Sequence, residues 1–167
     1  LQCTGFQETQ TTDLLRAVAD KGWRLHSLRL NSCFLKDAGA EWLAGAGWDL
    51  QELAVINSSL SAAGAAALVS ASWPSLSSLD VSSNMLGDEG MARSALGDWP
   101  LLARLAIRAV GMGQEGARAL AAVSWPALEE LLVYSGDYEV MRVAMLESGW
   151  PADRVAAVLR VERMYLS

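Results

Sequence analysis

The sequence has few of the residues that cross-links, metals and catalysis require. It contains two cysteines, Cys3 and Cys33, and one histidine, His26. Two cysteines are too few for the disulfide framework of a small secreted domain, and they do not form a Cys-x-x-Cys pair. We expect two free thiols, with a single Cys3 to Cys33 bridge as the alternative. His26 has no second histidine for a metal and no positioned serine or cysteine nucleophile. The sequence therefore favours a protein that is not an enzyme and needs no cofactor.

Long apolar runs and basic clusters are also missing. No run approaches the roughly 18 apolar residues that span a bilayer, and the first ten residues lack the order of a signal peptide. The 13 basic residues are scattered and the formal net charge is -6, so no basic stripe could neutralise a phosphate backbone. We expect an intracellular, cytoplasmic protein that binds neither membranes nor nucleic acid. Because the chain begins at Leu1 rather than Met, we also expect it to be a piece of a larger multidomain protein.

What the sequence does contain is an internal repeat. The pattern Leu-x-x-Leu-x-Leu-x-x-Asn/Cys-x-Leu recurs in steps of 25, 26, 26 and 26 residues, and its five copies start at Leu25, Leu50, Leu76, Leu102 and Leu128. A degenerate sixth copy predicts a last strand and comprises Ala156, Leu159, Val161, Met164 and Leu166. A strand pattern at a fixed period of this length is typical of a repeat protein.

A short helix rich in small residues follows each strand pattern. Four of these helices contain a glycine near their start, at Gly39, Gly64, Gly90 and Gly116. The fifth helix is expected at about residues 138–147, and a helix at 12–20, capped by Thr12 or Asp13, precedes the first repeat. A tryptophan marks each return from helix to strand, and the six are Trp23, Trp48, Trp73, Trp99, Trp125 and Trp150. Since one recurs per repeat, we interpret them as a packing ladder rather than an aromatic binding platform.

A unit of one strand and one helix cannot bury its apolar face alone, so the copies must stack. We predict an α/β fold, a right-handed α/β solenoid with a parallel concave sheet and convex helices. The prediction treats residues 1–167 as a single domain. Residues 1–22 form an N-terminal cap, residues 23–148 hold about five repeats, and residues 149–167 form a C-terminal cap with the degenerate last strand.

The residues identify a resemblance to a known family. The stretch Gly116-Ala-Arg-Ala-Leu-Ala121 matches the motif of the GALA type, so the chain resembles the ribonuclease-inhibitor-like class of leucine-rich repeats. The resemblance implies a horseshoe that binds a partner protein through its concave face, as part of an adaptor, a receptor or a cargo-binding tail. It also implies a ladder of polar residues at the turns after the strands. That position is occupied by Cys33, Ser58, Asn84, Val110, Gly136 and Met164. Because the last three cannot make such bonds, we expect different turns in the C-terminal half.

One stretch imitates a nucleotide-binding motif. Residues 111–116 read Gly-Met-Gly-Gln-Glu-Gly, a G-x-G-x-x-G between a strand and a helix. The same positions in the preceding repeat are filled by Leu86 to Gly90, so the repeat itself accounts for the spacing. We expect no nucleotide there.

The concave face is the candidate site, because the residues between the inward leucines should point to solvent. Arginine and tyrosine are common at protein interfaces, and the apolar Ile56 and Leu132 would suit a small hydrophobic anchor of a partner. The alternative is an ordinary solubilising surface. The candidate partner-binding residues are Arg29, Asn31, Glu52, Ile56, Asp80, Arg104, Arg108, Glu130, Leu132 and Tyr134. The last copy would add Val158, Arg160 and Glu162 to this face. We predict a non-catalytic protein-protein interaction module that is monomeric in isolation, with a structural spacer or self-association element as the alternative.

Overall fold

A computed structural model of the protein describes residues 1–161, which alternate between strands and helices. Seven strands form one parallel sheet in chain order. The strands are β1 (Gln2–Thr4), β2 (Ser27–Asn31), β3 (Glu52–Ile56), β4 (Ser78–Asp80), β5 (Arg104–Ala106), β6 (Glu130–Val133) and β7 (Leu159–Val161). The helices are α1 (Glu8–Asp20), α2 (Lys36–Gly45), α3 (Ala62–Ser70), α4 (Gly87–Ser94), α5 (Gln114–Ala121), α6 (Tyr138–Glu147) and α7 (Ala152–Val158). The predicted α/β class and the parallel sheet are confirmed.

The leucines of the repeat form rows across the sheet. Leu53 in β3 is in register with Leu28 on one side and Leu79 on the other, and the row continues through Leu105 and Leu131. All five side chains are buried. Because strand side chains alternate between two faces, these rows put the core on one side of the sheet. The successive helices α2 to α6 pack against one another in chain order.

The N-terminal segment differs from its prediction. Residues 2–4, expected in an irregular cap, form β1, which pairs with β2 and places Cys3 beside Leu30 in the core. Helix α1 begins at Glu8 rather than Thr12, because Gln7 and Gln10 form a reciprocal capping box at its start. The cap predicted at Thr12 or Asp13 is wrong, since both residues lie inside the helix. Cys3 and Cys33 are both free and buried, as expected.

The C-terminal segment keeps the predicted last strand. Leu159 and Val161 in β7 pair with Leu131 and Val133 in β6, and α6 has the predicted bounds. Val158, predicted to face solvent, is instead the buried last residue of α7. The sequence pattern did not indicate this helix. The predicted positions Glu162, Met164 and Leu166 lie outside the described residues.

Four of the six ladder tryptophans are buried: Trp48, Trp73, Trp99 and Trp125. The indole nitrogens of Trp73 and Trp125 each donate to the carbonyl five residues earlier, at 2.8 and 3.0 Å. The buried Trp99 indole nitrogen has no such partner within residues 1–161. Packing is therefore confirmed for these four. Trp23 lies outside the core, with 63% of its surface exposed. None of the helices in the described part of the chain is both long and apolar enough to cross a membrane.

Candidate protein-binding face

The side chains between the core leucines lie on the other side of the sheet, which we call the open face. Strand register arranges them in rows. One row contains Ser27, Glu52, Ser78, Arg104 and Glu130. The next contains Gln2, Arg29, Ala54, Asp80, Ala106, Leu132 and Arg160. A third, at and beyond the strand ends, contains Asn31, Ile56, Ser82, Arg108 and Tyr134. All ten predicted site residues belong to these rows.

Ion pairs link neighbouring strands across the open face. Arg29 Nη2 lies 3.0 Å from Glu52 Oε2, which also accepts a hydrogen bond from Ser27. Arg104 Nη1 lies 3.2 Å from Glu130 Oε2. These bonds fix side chains that the sequence suggested only as independent binding residues. The hydrogen bonds from Arg29 and Ser27 hold the pKa of the Glu52 carboxyl below its usual value. Glu52 is therefore ionised at neutral pH.

A third ion pair is more deeply buried than the other two. Arg108 Nη2 lies 3.0 Å from Asp80 Oδ2, and both side chains are mostly buried. The hydroxyl of Ser82 accepts hydrogen bonds from the backbone nitrogen and from Nε of Arg108, both at 3.2 Å. Asp80 in turn accepts from the backbone nitrogen of Ser82 at 2.9 Å. This network holds β4 and the chain after β5 together, so Arg108 has a structural role besides any role in binding.

Leu132 requires a correction. It was predicted to be exposed, but only 5% of its surface is accessible, and its neighbour Ala106 is completely buried. Neither belongs to the main core cluster, so both are buried on the open face itself. Leu132 lies in register with Ala106 on one side and Arg160 on the other. The row on one side of it contains Arg104 and Glu130, and the row on the other side contains Arg108 and Tyr134. Alternation within one strand predicts which face a side chain is on but not how much of it is accessible.

The N-terminal part of the open face contains a groove of about 380 Å³. Ala54 lies in register between Arg29 and Asp80, and its side chain is only a methyl group. The floor of the groove is therefore low at this position. Ile56 is half-buried beside it, so part of this apolar side chain is accessible, as predicted. The residues that line the groove are Gln2, Arg29, Leu30, Asn31, Glu52, Leu53, Ala54, Ile56, Ser78, Asp80 and Arg104.

The groove separates the predicted site residues into two groups. It brings together Arg29, Asn31, Glu52, Ile56, Asp80 and Arg104. It does not include Arg108, Glu130, Leu132 and Tyr134. The lining residue that sequence reasoning missed is Gln2, which comes from the unpredicted strand β1. The alternation of the strands places Ala54 and Ser78 on this face, but neither residue type suggested binding.

The glycine motif at residues 111–116 is already engaged by a carboxylate. The backbone nitrogens of Gly113 and Gly116 donate to Asp88 Oδ1 at 2.6 and 3.0 Å. Asp88 belongs to the preceding helix α4, so it caps the start of α5 from the neighbouring repeat. A phosphate at the same place would have to displace this carboxylate. Asp37 caps α3 in the same way through Ser61, whose nitrogen and hydroxyl both donate to it.

Comparison with known proteins adds no relative. No protein-family model matches the chain, and no curated protein matches it. The resemblance to leucine-rich repeats therefore depends on the repeat in the sequence.

Proposed function

We propose that the chain is a leucine-rich repeat protein of the ribonuclease-inhibitor-like class with GALA-type repeats. Its sheet and helices would form a right-handed solenoid whose open face is concave. Three observations support the assignment: the 25 to 26-residue period, one parallel strand per period in chain order, and Asn84 bonding backbone groups at the turn. The seven strands share one sheet because each repeat buries its apolar side against the next.

We also propose that the chain is a non-catalytic module that binds a partner protein through its open face. The observation that carries this proposal is the groove, which collects six predicted binding residues from β2 to β5 around an accessible floor. Ion pairs between strands hold its walls in place before a partner arrives, which lowers the entropy lost on binding. Arginines in a preformed site are typical of interface residues that contribute strongly to affinity.

Charge reversal on the two faces tests the proposal. One variant carries Arg29→Glu and Arg104→Glu on the open face. The matched control carries Arg93→Glu and Arg118→Glu on the helices, where the arginines are equally exposed and also form ion pairs. Partners captured from cell extract by the wild-type chain are quantified for both variants by mass spectrometry. We expect the open-face variant to capture at least about tenfold less of a specific partner than the wild type, whereas the control captures the same amount.

Stability must be compared in the same experiment. Exposed ion pairs contribute about 1 kcal/mol or less, so both variants should unfold close to the wild type. Equal capture by the two variants would refute binding through the open face. Sedimentation at several concentrations separates the alternative function, because a self-association element would form oligomers while a recognition module retains its partner as a monomer.

A further inference from the structure

The two arginines of the groove have unused hydrogen-bond donors. Arg29 Nη2 donates a hydrogen bond to Glu52, and Arg104 Nη1 forms an ion pair with Glu130. Each has this single ion-pair partner among residues 1–161. A guanidinium carries five N–H donors. Most donors of Arg29 and Arg104 therefore remain available to a ligand on the groove walls.

In each of the two ion pairs the arginine side chain is more exposed than the glutamate side chain. Arg29 is 58% exposed and Glu52 is 44% exposed, and the corresponding values for Arg104 and Glu130 are 52% and 36%. Asp80, the other carboxylate that lines the groove, is only 19% exposed and bonded to Arg108. A molecule that approaches the groove therefore meets guanidinium groups first. The net charge of -6 does not reverse this preference, because charges beyond about 8 Å are screened at physiological salt.

The floor of the groove is apolar next to Arg29 and polar next to Arg104, where Ser78 lies in register. The side chains of Ala54 and Ile56, both half-buried, consist of carbon; Ala54 lies in register with Arg29, and Ile56 lies two residues further along β3. Arg29 and Arg104 lie on strands β2 and β5, three strands apart and two residues out of register, which corresponds to about 16 Å. An extended chain covers this distance in about five residues. One short segment can therefore reach both arginines and cross the floor.

We propose that the groove binds an extended acidic segment of a partner protein. One carboxylate bonds Arg29, a second carboxylate about five residues away bonds Arg104, and an apolar side chain near the first carboxylate packs over Ala54 and Ile56. This inference rests on the proposed function and names the chemistry of its partner. The charges of the outermost side chains select an acidic segment over a basic one.

Selection from a displayed library of random peptides, each of about 12 residues, tests the inference without a known partner. The wild-type chain is the bait. We expect the recovered peptides to be enriched in Asp and Glu around an apolar residue. A synthetic peptide of the commonest sequence should bind the wild type in a fluorescence polarisation assay. It should bind the Arg29→Glu, Arg104→Glu variant at least about tenfold more weakly. The Arg93→Glu, Arg118→Glu control should keep the wild-type affinity.

Three further measurements test the individual contacts. Ala54→Trp should block the depression and lower the affinity without changing any charge. Replacing the peptide's acidic residues with their amides should weaken binding by about tenfold. Raising the salt concentration should also weaken it, because the contacts are ionic and exposed.

The outcomes separate this inference from the proposed function. Peptides rich in Lys and Arg that still require Ala54 would overturn the acidic segment but leave the open face as the binding surface. Peptides whose binding ignores all groove substitutions would overturn both. Recovery of no peptide would overturn the acidic segment, and the capture experiment with the two charge-reversed variants would then decide the proposed function.

Discussion

The turns after β2, β3 and β4 differ from the turns after β5 and β6 in how their buried backbone groups are hydrogen-bonded. Each turn leaves backbone nitrogens and oxygens inside the structure, where an unbonded group costs about 1–3 kcal/mol. In the N-terminal half, buried polar side chains bond them. In the C-terminal half the same positions hold Val110 and Gly136, which have no side-chain donor or acceptor.

The polar turns are bonded from repeat to repeat. Asn84 Oδ1 accepts from the backbone nitrogens of Ser58 and Leu60 in the preceding turn, at 3.0 and 3.1 Å. Its Nδ2 donates back to Val55 in the preceding strand. The hydroxyl of Ser58 accepts from the nitrogen of Cys33, one repeat further back. Ser58 and Asn84 therefore each stabilise the turn of the repeat before.

The apolar turns lack this arrangement. Val110 is completely buried and packs in the core cluster. The start of α5 is nevertheless capped, because Asp88 of the earlier repeat bonds two nitrogens there, as Asp37 caps α3 in the N-terminal half. The comparison teaches that a repeat can lose its ladder residue while it keeps the carboxylate cap from the preceding helix.

Removing Asn84 should have the largest effect. Asn84→Ala deletes five hydrogen bonds and leaves the nitrogens of Ser58 and Leu60 buried without a partner. We expect a loss of about 3–4 kcal/mol in the free energy of unfolding, measured with urea. Hydrogen exchange should also accelerate at the Ser58 and Leu60 amides.

Val110→Ala is the matched control, one repeat later. It removes only methyl groups from a buried site and should cost about 1–2 kcal/mol. It should not selectively accelerate exchange in the turn before it. If the two variants lose equal stability with the same exchange pattern, the distinction between polar and apolar turns is wrong.

Gly116→Ala should have the next largest effect, since it tests the carboxylate cap that both halves share. A Cβ at Gly116 would lie 2.7 Å from Asp88 Oδ1 and 3.1 Å from Asp88 Cα, so the cap would have to move. We expect a loss of about 2 kcal/mol in thermal or urea unfolding. Gly45→Ala is the control, because a Cβ there meets nothing within 4 Å. Combined with Asp88→Ala, Gly116→Ala should cost less than it does alone, and strict additivity would contradict the proposed clash.

Much of the fold could be predicted because the repeat determines the register. Once Leu28 and Leu53 occupy equivalent positions, the alternation of side chains decides which residues are buried. Strand β1 escaped prediction because residues 2–4 include a single apolar residue, Cys3, which occupies a position held by leucine or valine in other strands. No period could be recognised from one residue.

The candidate site was less predictable than the fold. Alternation correctly placed the ten residues on one face, but accessibility depends on side chains from neighbouring strands, and so Leu132 was predicted wrongly. The pairing of Arg29 with Glu52 likewise depends on rotamers that a repeat pattern does not determine. The groove exists because Ala54 is small, and a small residue gives no binding signal of its own in a sequence.

Ala109→Gly should have the smallest effect, and it tests whether the C-terminal turn keeps the backbone of the polar turns. Ala109 has a φ of 52°, in the left-handed region that Ser32, Asn57 and Ser83 occupy at the equivalent positions. An L-residue there costs roughly 1–2 kcal/mol, whereas glycine loses roughly 0.5–1 kcal/mol through the flexibility of the unfolded chain. We therefore expect a gain of about 0.5–1 kcal/mol in the free energy of unfolding. Ala92→Gly, exposed inside α4, should instead lose about 1 kcal/mol. A loss at Ala109 of the same size as at Ala92 would mean that the turn after β5 does not share the left-handed geometry of the turns before it.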